Sequence, residues 1–374
     1  ITKEMPFFDH VGVELEMFGN SGAPDFSFIT HSGDGSISAD FGKGVEIKTQ
    51  PASGDVLVKN IKTLSKQLIT DGFEVNSSCG LHVHIDCRKI KDKPQKLSNM
   101  ILTYYAFEDI LYSMLPKSRW NNTYCKPLFQ DYGNKDLKNK TIERLGKKWY
   151  KSEYYNESTN DHHNESRYHD INVHSIFYRG SLEVRMHSGT LDSAKIINWI
   201  YLLLKIKKWA LNNYDDKIIQ KAIKLNSNKA KYNLFIKTFK LDNNPKIKNY
   251  VSNRIKKFNP LVLTNRKNYW TAKKEIVGIR KKGNNAGLKY RNYLNTEAQR
   301  ITDSRHDTIR LKDYEKELLL LDEWVARPKL EAILLKSDNH FKALDKNYKK
   351  YISEINKKEI IINKFYNREM GVEE

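Results

Sequence analysis

The sequence is poor in cysteine and has no long apolar run, and both absences exclude whole classes of protein. Its three cysteines, Cys79, Cys87 and Cys125, are too scattered for a disulfide framework or a zinc ribbon, and they indicate a reducing compartment. The longest apolar stretch, residues 196–204, is interrupted by Asn198 and is far shorter than the roughly 20 residues a membrane-spanning helix needs. We therefore expect a cytoplasmic protein without a membrane partner.

Acidic residues are scarce in one part of the chain. Residues 205–300 contain 25 Lys and Arg but only 5 Asp and Glu, whereas residues 1–204 have 25 of each kind and residues 301–374 have 15 of each. The net charge of +20 therefore originates in the middle segment. These shifts predict three parts: a core over residues 1–204, a basic and mostly helical segment over 205–300, and amphipathic C-terminal helices over 301–374.

Alternation of apolar with ionisable side chains predicts β-strands in four segments. In one of them, His82 and His84 are separated by Val83, so both imidazoles project from the same face. The ionisable residues that the four segments place opposite their apolar rows are Glu14 and Glu16, Glu46, His82 and His84, and Glu183, Arg185 and His187. Each pair alone is equally typical of an ordinary exposed strand face.

Together the four strands favour an antiparallel sheet whose polar face gathers carboxylates, imidazole and guanidinium around cations. Carboxylates with one histidine suit Mg²⁺ or Mn²⁺, which prefer oxygen and tolerate an imidazole. An arginine beside them suits an anionic phosphate. We therefore predict a metal and phosphate site on this face.

Helical spacing predicts the remaining regular elements. The predicted helices cover residues 55–73, 97–115, 196–209, 313–335 and 341–365. In the first helix, the predicted buried stripe contains Val56, Ile61, Leu64, Leu68 and Ile69. Residues 119–164 predict a long loop with one short helix, which is typical either of a lid or substrate loop or of a surface excursion without a role.

The order of the motifs resembles a known enzyme family. The motifs are Gly12-Val-Glu-Leu-Glu16, Asp34-Gly-Ser36, Gly44-Val-Glu46 to Pro51, Cys79-Gly-Leu-His-Val-His84, Arg119 with Asn122-Thr-Tyr-Cys125, Arg167-Tyr168 to Asn172, and Leu182-Glu-Val-Arg-Met-His-Ser-Gly-Thr-Leu-Asp192. Each motif is weak alone, but their order over residues 10–205 resembles the amidoligase family, which is often phage- or plasmid-encoded. That family belongs to the carboxylate–amine ligase superfamily with glutamine synthetase and glutamate–cysteine ligase.

The resemblance implies an α+β fold with a curved antiparallel sheet like the catalytic domain of glutamine synthetase, flanked by helices and followed by a mainly helical C-terminal region. It also implies an ATP- and Mg²⁺- or Mn²⁺-dependent ligase that joins an unknown amine to an unknown carboxylate through an acyl-phosphate. A phage-infected host or a virion is then a further expected location.

The resemblance also implies roles for individual residues. The residues that match metal ligands of the family are Glu14, Glu16, Glu46, His82 and Glu183. Arg185 matches the arginine that stabilises the γ-phosphate. For the other matched residues the resemblance implies substrate or nucleotide contacts without separating the two; they are Asp34, His84, Arg119, Tyr124, Arg167 and Asn172. We assign Asp34 and Arg119 to the nucleotide and Arg167 to catalysis, and we expect a carboxylate or His84 to be the base that takes the proton of the amine.

Two other functions would explain the same residues. A metal-dependent phosphoesterase or nuclease would need the same acidic and histidine residues, and a catalytically idle descendant would serve as a phage structural or nucleic-acid-binding protein. In residues 205–300, lysines for phosphate contacts and aromatic residues for stacking are typical of a nucleic-acid-binding surface. A surface for an acidic protein, or a solvated lysine-rich face without a partner, explains the same composition.

Overall fold

The computed structural model describes residues 9–370, except 121, 140, 226, 264–268, 305–327, 329, 333 and 337. The chain divides into two compact units between residues 270 and 271. The three-part division by charge stays a prediction. None of the described helices combines the length and the apolar character that a bilayer crossing needs.

The first unit contains strands and helices, and the second is helical in its described part. The strands are β1 (Val11–Gly19), β2 (Ile29–Gly33), β3 (Lys43–Thr49), β4 (Gly80–Asp86), β5 (Ile171–Asn172) and β6 (Ser181–Ser188). The helices are α1 (Gly54–Thr70), α2 (Pro94–Tyr112), α3 (Leu128–Asp131), α4 (Asn134–Leu137), α5 (Ile142–Tyr150), α6 (Tyr155–Thr159), α7 (His174–Arg179), α8 (Ser193–Asn212), α9 (Asp216–Lys224), α10 (Asn228–Thr238), α11 (Pro245–Phe258), α12 (Tyr269–Ser304) and α13 (Asn339–Met370).

The described strands form an open antiparallel sheet in the order β2-β3-β1-β4-β6-β5. One face carries the apolar row that the alternation predicts: Val13, Val83 and Val184, for example, are fully buried. Sheet and helices together confirm the predicted α+β class. The central strands are those that carry the ionisable residues, so the polar face lies in the middle of the sheet.

Helices α2 and α8 pack together in the core of the first unit. The hydroxyl of Tyr104 in α2 donates to the carbonyl of Leu203 in α8 at 2.8 Å. The ammonium of Lys207 in α8 donates to the carbonyl of Asp86 at the end of β4 and lies 2.8 Å from Asp9 Oδ1. This lysine is buried, so part of the basic composition after residue 204 stabilises the core.

The predicted stripe of α1 is wrong at both ends. Val56 and Ile69 are each 60% exposed, and the buried row consists of Leu57, Ile61, Leu64 and Leu68. These four positions follow the three-and-four spacing of one helix face, whereas Val56 lies about 100° around the helix from Leu57.

Residues 119–164 are not the predicted loop with one short helix. They contain four short α-helices, α3 to α6, and the side chains of Leu137, Leu145 and Trp149 are buried. The indole of Trp149 stacks on the ring of Tyr132 with a centroid distance of 4.6 Å. The segment is therefore a small packed layer, held by one aromatic cluster.

A bulge interrupts the pairing of β4 with β6. Val83 pairs with Val184, but Leu81 pairs with His187, so three steps along β6 oppose two along β4. The extra residue reverses the alternation of β6 and turns His187 to the apolar side. The prediction that His187 shares the polar face with Glu183 and Arg185 is therefore wrong: His187 is buried, and its ring centroid lies 5.0 Å from that of Trp199 in α8.

The second unit contains an antiparallel pair of long helices, α12 and α13. Tyr290 of α12 stacks on Phe341 of α13 with a centroid distance of 4.7 Å, and Leu294 belongs to the same buried cluster. Further along, a Cβ at Gly287 would lie 2.9 Å from the ring of Tyr348. Glycine thus permits the close approach of the two helices at that level.

The buried His187 predicts a pH-dependent stability. Burial, reinforced by the positive charge of Arg254, lowers the pKa of His187 to about 3. Between this value and the ordinary histidine pKa of about 6.5, only the unfolded chain binds the proton, so acidification destabilises the fold. We expect His187→Phe to remove this term, so that its free energy of unfolding falls less steeply than that of the wild type, by up to about 1.4 kcal/mol per pH unit.

Urea unfolding at pH values between 4 and 7 measures both slopes. His31→Phe is the matched control, because His31 is exposed on β2 and its replacement should keep the wild-type slope. Parallel slopes for His187→Phe and the wild type would contradict the prediction.

Candidate active site

Carboxylates and imidazoles meet on the polar face because the strand registers place them side by side. Glu16 of β1 lies directly opposite Glu46 of β3, and Glu14 of β1 lies opposite His82 of β4. On the next pair of strands, His84 lies opposite Glu183 of β6. Directly opposite side chains in an antiparallel sheet have Cβ atoms about 5 Å apart, so the row is continuous from β3 to β6.

Glu14 is the centre of this row. Its Oε2 lies 3.2 Å from His82 Nδ1, and its Oε1 lies 3.0 Å from His84 Nε2. The other nitrogen of His82, Nε2, lies 3.3 Å from Glu16 Oε1. Each imidazole therefore lies beside a carboxylate. We call the polar row on the sheet the floor of the site; it consists of Glu14, Glu16, Glu46, His82, His84, Glu183 and Arg185.

Glu183 closes the row on the side of β6. The side-chain amide of Asn172 in β5 donates to Glu183 Oε2 at 2.6 Å, and Nη1 of Arg185 donates to Glu183 Oε1 at 2.5 Å. The Nε of Arg185 donates to the carbonyl of Tyr124 at 3.2 Å. These bonds hold both the carboxylate and the guanidinium in defined positions.

The pKa values record how strongly the charges interact. Burial opposes the ionisation of Glu14, but the charge of His84 and hydrogen bonds with His82 and His84 outweigh it and hold the pKa of Glu14 well below its ordinary value. Burial lowers the pKa of His84, but the charges of Glu183 and Glu14 outweigh it and raise that pKa overall. Burial and the neighbouring charge of Glu14 raise the pKa of Glu46. The shifts therefore have opposite directions: the imidazoles favour an ionised Glu14, and burial together with the charge of Glu14 favours a protonated Glu46.

The donor set fits a hard divalent cation. Two groups bring their ligand atoms within 4.8 Å of one another: Glu14, His84 and Glu183 in one, and Glu14, Glu46 and His82 in the other. Carboxylate oxygen with one imidazole is the set that Mg²⁺ and Mn²⁺ accept. A cation would also relieve the repulsion that raises the pKa of Glu46.

Gly80 and Arg119 position the part of the floor around Glu16. The amide of Gly80 donates to Glu16 Oε2 at 2.5 Å. A Cβ at Gly80 would lie 3.0 Å from Glu16 Oε2 and 3.0 Å from His82 Nε2. The buried guanidinium of Arg119 donates to the carbonyls of Met186 and Arg185, at the bulge of β6. The absence of a Cβ at Gly80 therefore lets the side chains of Glu16 and His82 lie this close to the backbone of β4. Arg119 stabilises the irregular strand β6.

One cavity of about 310 Å³ contains nearly all the residues predicted for the site. Those lining it are Glu14, Glu16, Asp34, Glu46, His82, Arg119, Arg167, Glu183 and Arg185, together with Tyr124 and Asn172. His84 lines a neighbouring cavity of about 250 Å³ that shares Glu14, Lys48 and Arg179 with the first. The structure thus brings the predicted residues together, and it places His84 on the far side of Glu14.

Asp34 and Arg167 are held at the rim by local contacts. Oδ1 of Asp34 accepts hydrogen bonds from the amide and the hydroxyl of Ser36, which forms a turn after β2. Arg167 donates to the hydroxyl of Tyr168 at 2.9 Å and to the carbonyl of His162 at 3.1 Å. Nucleotide or catalytic roles for these two residues stay predictions.

The sequence interpretation missed several polar and aromatic residues of the cavity lining, which we call its wall together with Tyr124, Arg167 and Tyr168. The missed lining residues are Lys48, His162, His174, Tyr178 and Arg179. Lys48 Nζ lies 2.6 Å from Glu46 Oε2, and Arg179 Nη1 lies 3.7 Å from Glu14 Oε1. Arg179 is the last residue of α7. The only local sequence signal for the end of that helix was Gly180, whose φ of +76° ends it just before β6.

The fold and the site define an α+β protein with an acidic, histidine- and arginine-bearing cavity on an open antiparallel sheet. Residues 23–207 match the family model described as "Putative amidoligase enzyme". This match confirms the resemblance to the amidoligase family that the motifs indicate. The match begins after β1, so Glu14 and Glu16 lie outside it. No curated protein and no solved structure matches the chain.

Gly80→Ala tests whether the floor is a metal site. The added Cβ would displace Glu16 or His82 by a few tenths of an ångström, and we expect roughly tenfold weaker Mn²⁺ binding, at the lower end of what disturbing ligand support costs. Calorimetric titration of the purified protein with Mn²⁺ measures the affinity.

Gly12→Ala is the matched control on the neighbouring strand. A Cβ there would make only ordinary contacts of 3.5 Å or more, so Mn²⁺ binding should stay at the wild-type affinity. Equal Mn²⁺ affinities for Gly80→Ala and the wild type, with both folded by circular dichroism, would show that Glu16 and His82 are not ligands.

Proposed function

We propose that the chain is an ATP-dependent carboxylate–amine ligase that uses Mg²⁺ or Mn²⁺. The observation that supports this proposal is the pairing of Glu183 with Arg185 at the end of a row of carboxylates inside one cavity. A row of acidic residues alone would suit many metal enzymes. The adjoining guanidinium adds a positive group where a phosphoryl group would lie against the metal ligands.

The chemistry explains why both kinds of residue are needed. A carboxylate oxygen of the substrate takes the γ-phosphoryl group of ATP and ADP leaves; the amine nitrogen then displaces phosphate from the acyl-phosphate and loses one proton. Both steps pass through states with concentrated negative charge, and stabilising that charge is where such catalysis obtains most of its rate. Bound Mg²⁺ supplies Lewis-acid stabilisation of the phosphoryl oxygens.

The residues on the floor divide between holding the cation and orienting the phosphoryl group. Glu14, Glu46 and His82 would hold a cation on the side of β3, and Glu16 lies beside them. Glu183 would hold a second cation with Glu14 and His84, where it also fixes Arg185 through a 2.5 Å hydrogen bond. Arg185 would stabilise the transferring phosphoryl group.

The wall would bind the organic part of the substrates. It offers the rings of Tyr124, Tyr168 and Tyr178, and the guanidinium groups of Arg167 and Arg179. Arg167 lies over the ring of Tyr168 at 4.9 Å, so a cation and an aromatic face lie next to each other. Such a surface suits a carboxylate-bearing substrate beside a nucleotide.

The proposal predicts that ATP binding requires a divalent cation and the carboxylate, imidazole and guanidinium groups of the floor. We expect ATP to bind the wild type with Mg²⁺ or Mn²⁺ and to bind weakly with EDTA. In Glu16→Ala, His82→Ala and Arg185→Ala, metal-dependent ATP affinity should fall at least about tenfold, because each variant removes a ligand or the phosphate partner. Isothermal titration calorimetry measures the affinities.

Glu74→Ala and Arg144→Ala are the controls for charge removal, because both residues are exposed and lie outside the cavity. They should bind ATP as the wild type does. Wild-type ATP affinity in all three floor variants would contradict the site assignment. Mg²⁺-dependent cleavage of DNA or RNA without ADP formation would favour the phosphoesterase function instead.

The substrates can be identified from the reaction itself. Host extracts incubated with ATP and either the wild type or Arg185→Ala should differ by one condensation product, whose mass equals the two substrates less one water. Mass spectrometry detects that difference. If ADP formation depends on extract but no condensed mass appears, the carboxylate–amine assignment fails while ATP use stands.

A further inference from the structure

The helix pair of the second unit carries its acids and its bases on different sides. Glu275 Oε2 of α12 lies 3.1 Å from Lys358 Nζ of α13, and Glu359 of α13 pairs with Arg280 of α12. Asp338 accepts a hydrogen bond from Tyr293 of α12. These contacts place acidic side chains at the seam between the helices.

None of the acidic residues whose exposure the structure describes in this unit is fully exposed. They are Glu275, Glu297, Glu331, Asp338, Asp345, Glu354 and Glu359, and each is partly buried. The exposed basic residues of the same unit number eleven: Arg280, Lys281, Lys282, Lys289, Arg291, Lys336, Lys342, Lys346, Lys349, Lys350 and Lys357. The described outer surface is therefore cationic, although residues 301–374 have balanced composition.

Four of these lysines form a strip along α13. Lys342, Lys346, Lys350 and Lys357 follow each other at four, four and seven residues, so they lie within about 80° of one another around the helix. At 1.5 Å per residue the strip is about 22 Å long. Between them, Asn347, Ser353 and Asn356 are exposed and add neutral hydrogen-bonding groups.

The described exposed surface of this unit carries no Phe, Tyr or Trp ring for stacking, and its one exposed imidazole, that of His340, packs against Tyr293. Tyr290 is buried in the cluster of α12 and α13, and Tyr293, Tyr348 and Tyr351 are partly buried. In the first unit, Phe235 and Phe239 pack against Phe107 in the core. Stacking of unpaired bases on these residues, which the composition of 205–300 suggested, therefore finds no support.

We propose that the lysine surface of the α12–α13 pair binds the phosphate backbone of double-stranded DNA without reading its sequence. Lysine and asparagine side chains are phosphate contacts, and a described surface without exposed Phe, Tyr or Trp suits a stacked duplex better than a single strand. The major groove of B-form DNA admits an α-helix, whereas that of A-form RNA is too narrow. None of these lysines lines the cavity on the sheet.

The test uses the full-length protein and a fluorescein-labelled duplex of about 30 bp, long enough for a strip of about 22 Å. Fluorescence anisotropy is measured between about 50 and 200 mM KCl, the range over which phosphate contacts lose affinity steeply. We expect Lys342→Gln, Lys346→Gln, Lys350→Gln and Lys357→Gln, combined in one variant, to weaken binding at least about tenfold. The slope of log K against log salt should fall by up to about four, one for each lost phosphate contact.

The matched control removes four exposed lysines from the first unit, within the segment of densest positive charge. It combines Lys217→Gln, Lys229→Gln, Lys237→Gln and Lys256→Gln. Its net charge equals that of the first variant, so diffuse charge changes equally in both. Because the strip on α13 is intact, the control should keep most of the affinity and the wild-type slope. ATP binding should be unchanged in both variants, which separates this proposal from the proposed ligase function.

Several outcomes would overturn the proposal. Absence of binding at about 50 mM KCl would remove the DNA partner, and equal loss in the two variants would reduce the effect to diffuse net charge. Stronger competition by single-stranded DNA or by duplex RNA would reject B-form DNA as the occupant. Stronger competition by poly-L-glutamate than by the duplex, at equal charge, would favour an acidic protein.

Discussion

Partly buried like charges that face each other across a sheet are the constraint on which the site depends. Glu16 opposes Glu46, and burial together with the negative charge of Glu14 raises the pKa of Glu46. The fold holds these groups together with imidazole, ammonium and guanidinium partners, since an uncompensated buried charge would be costly. The same compensation creates the polar cavity in which we propose that a cation binds. Under that proposal, stability and function depend on one set of interactions.

The regular strands explain how much of this site could be predicted from the sequence. On β1, β3 and β4 the side chains keep a period of two, so the alternation identifies Glu14, Glu16, Glu46 and His82 as cavity residues without any structure. On β6 the same rule fails beyond Arg185, because the bulge is a feature of pairing that alternation does not record. His187 was therefore assigned to the wrong face.

Contacts between distant segments account for the other differences. Apart from Lys48 of β3, the wall is formed by residues after 119, where Trp149 and Tyr132 build a local core that has no periodic signal. Residues 301–374 contain equal numbers of acidic and basic residues, but packing partly buries the described acids and leaves most of the described lysines exposed. Surface charge is thus a property of the helix pairing, and the totals of a segment do not predict it.

The bulge also makes strand length a determinant of the site. If β6 had one residue fewer between Val184 and His187, regular pairing with β4 would return, and the carbonyls of Arg185 and Met186 that Arg119 now binds would enter the ladder. His187 would keep its partner Leu81. The guanidinium of Arg119 would lose its two carbonyl acceptors, and either Arg185 or Met186 would be the residue removed. No exchange of side chains reproduces that change. Relatives of this chain should therefore be compared by the spacing within this strand as well as by the residues in it.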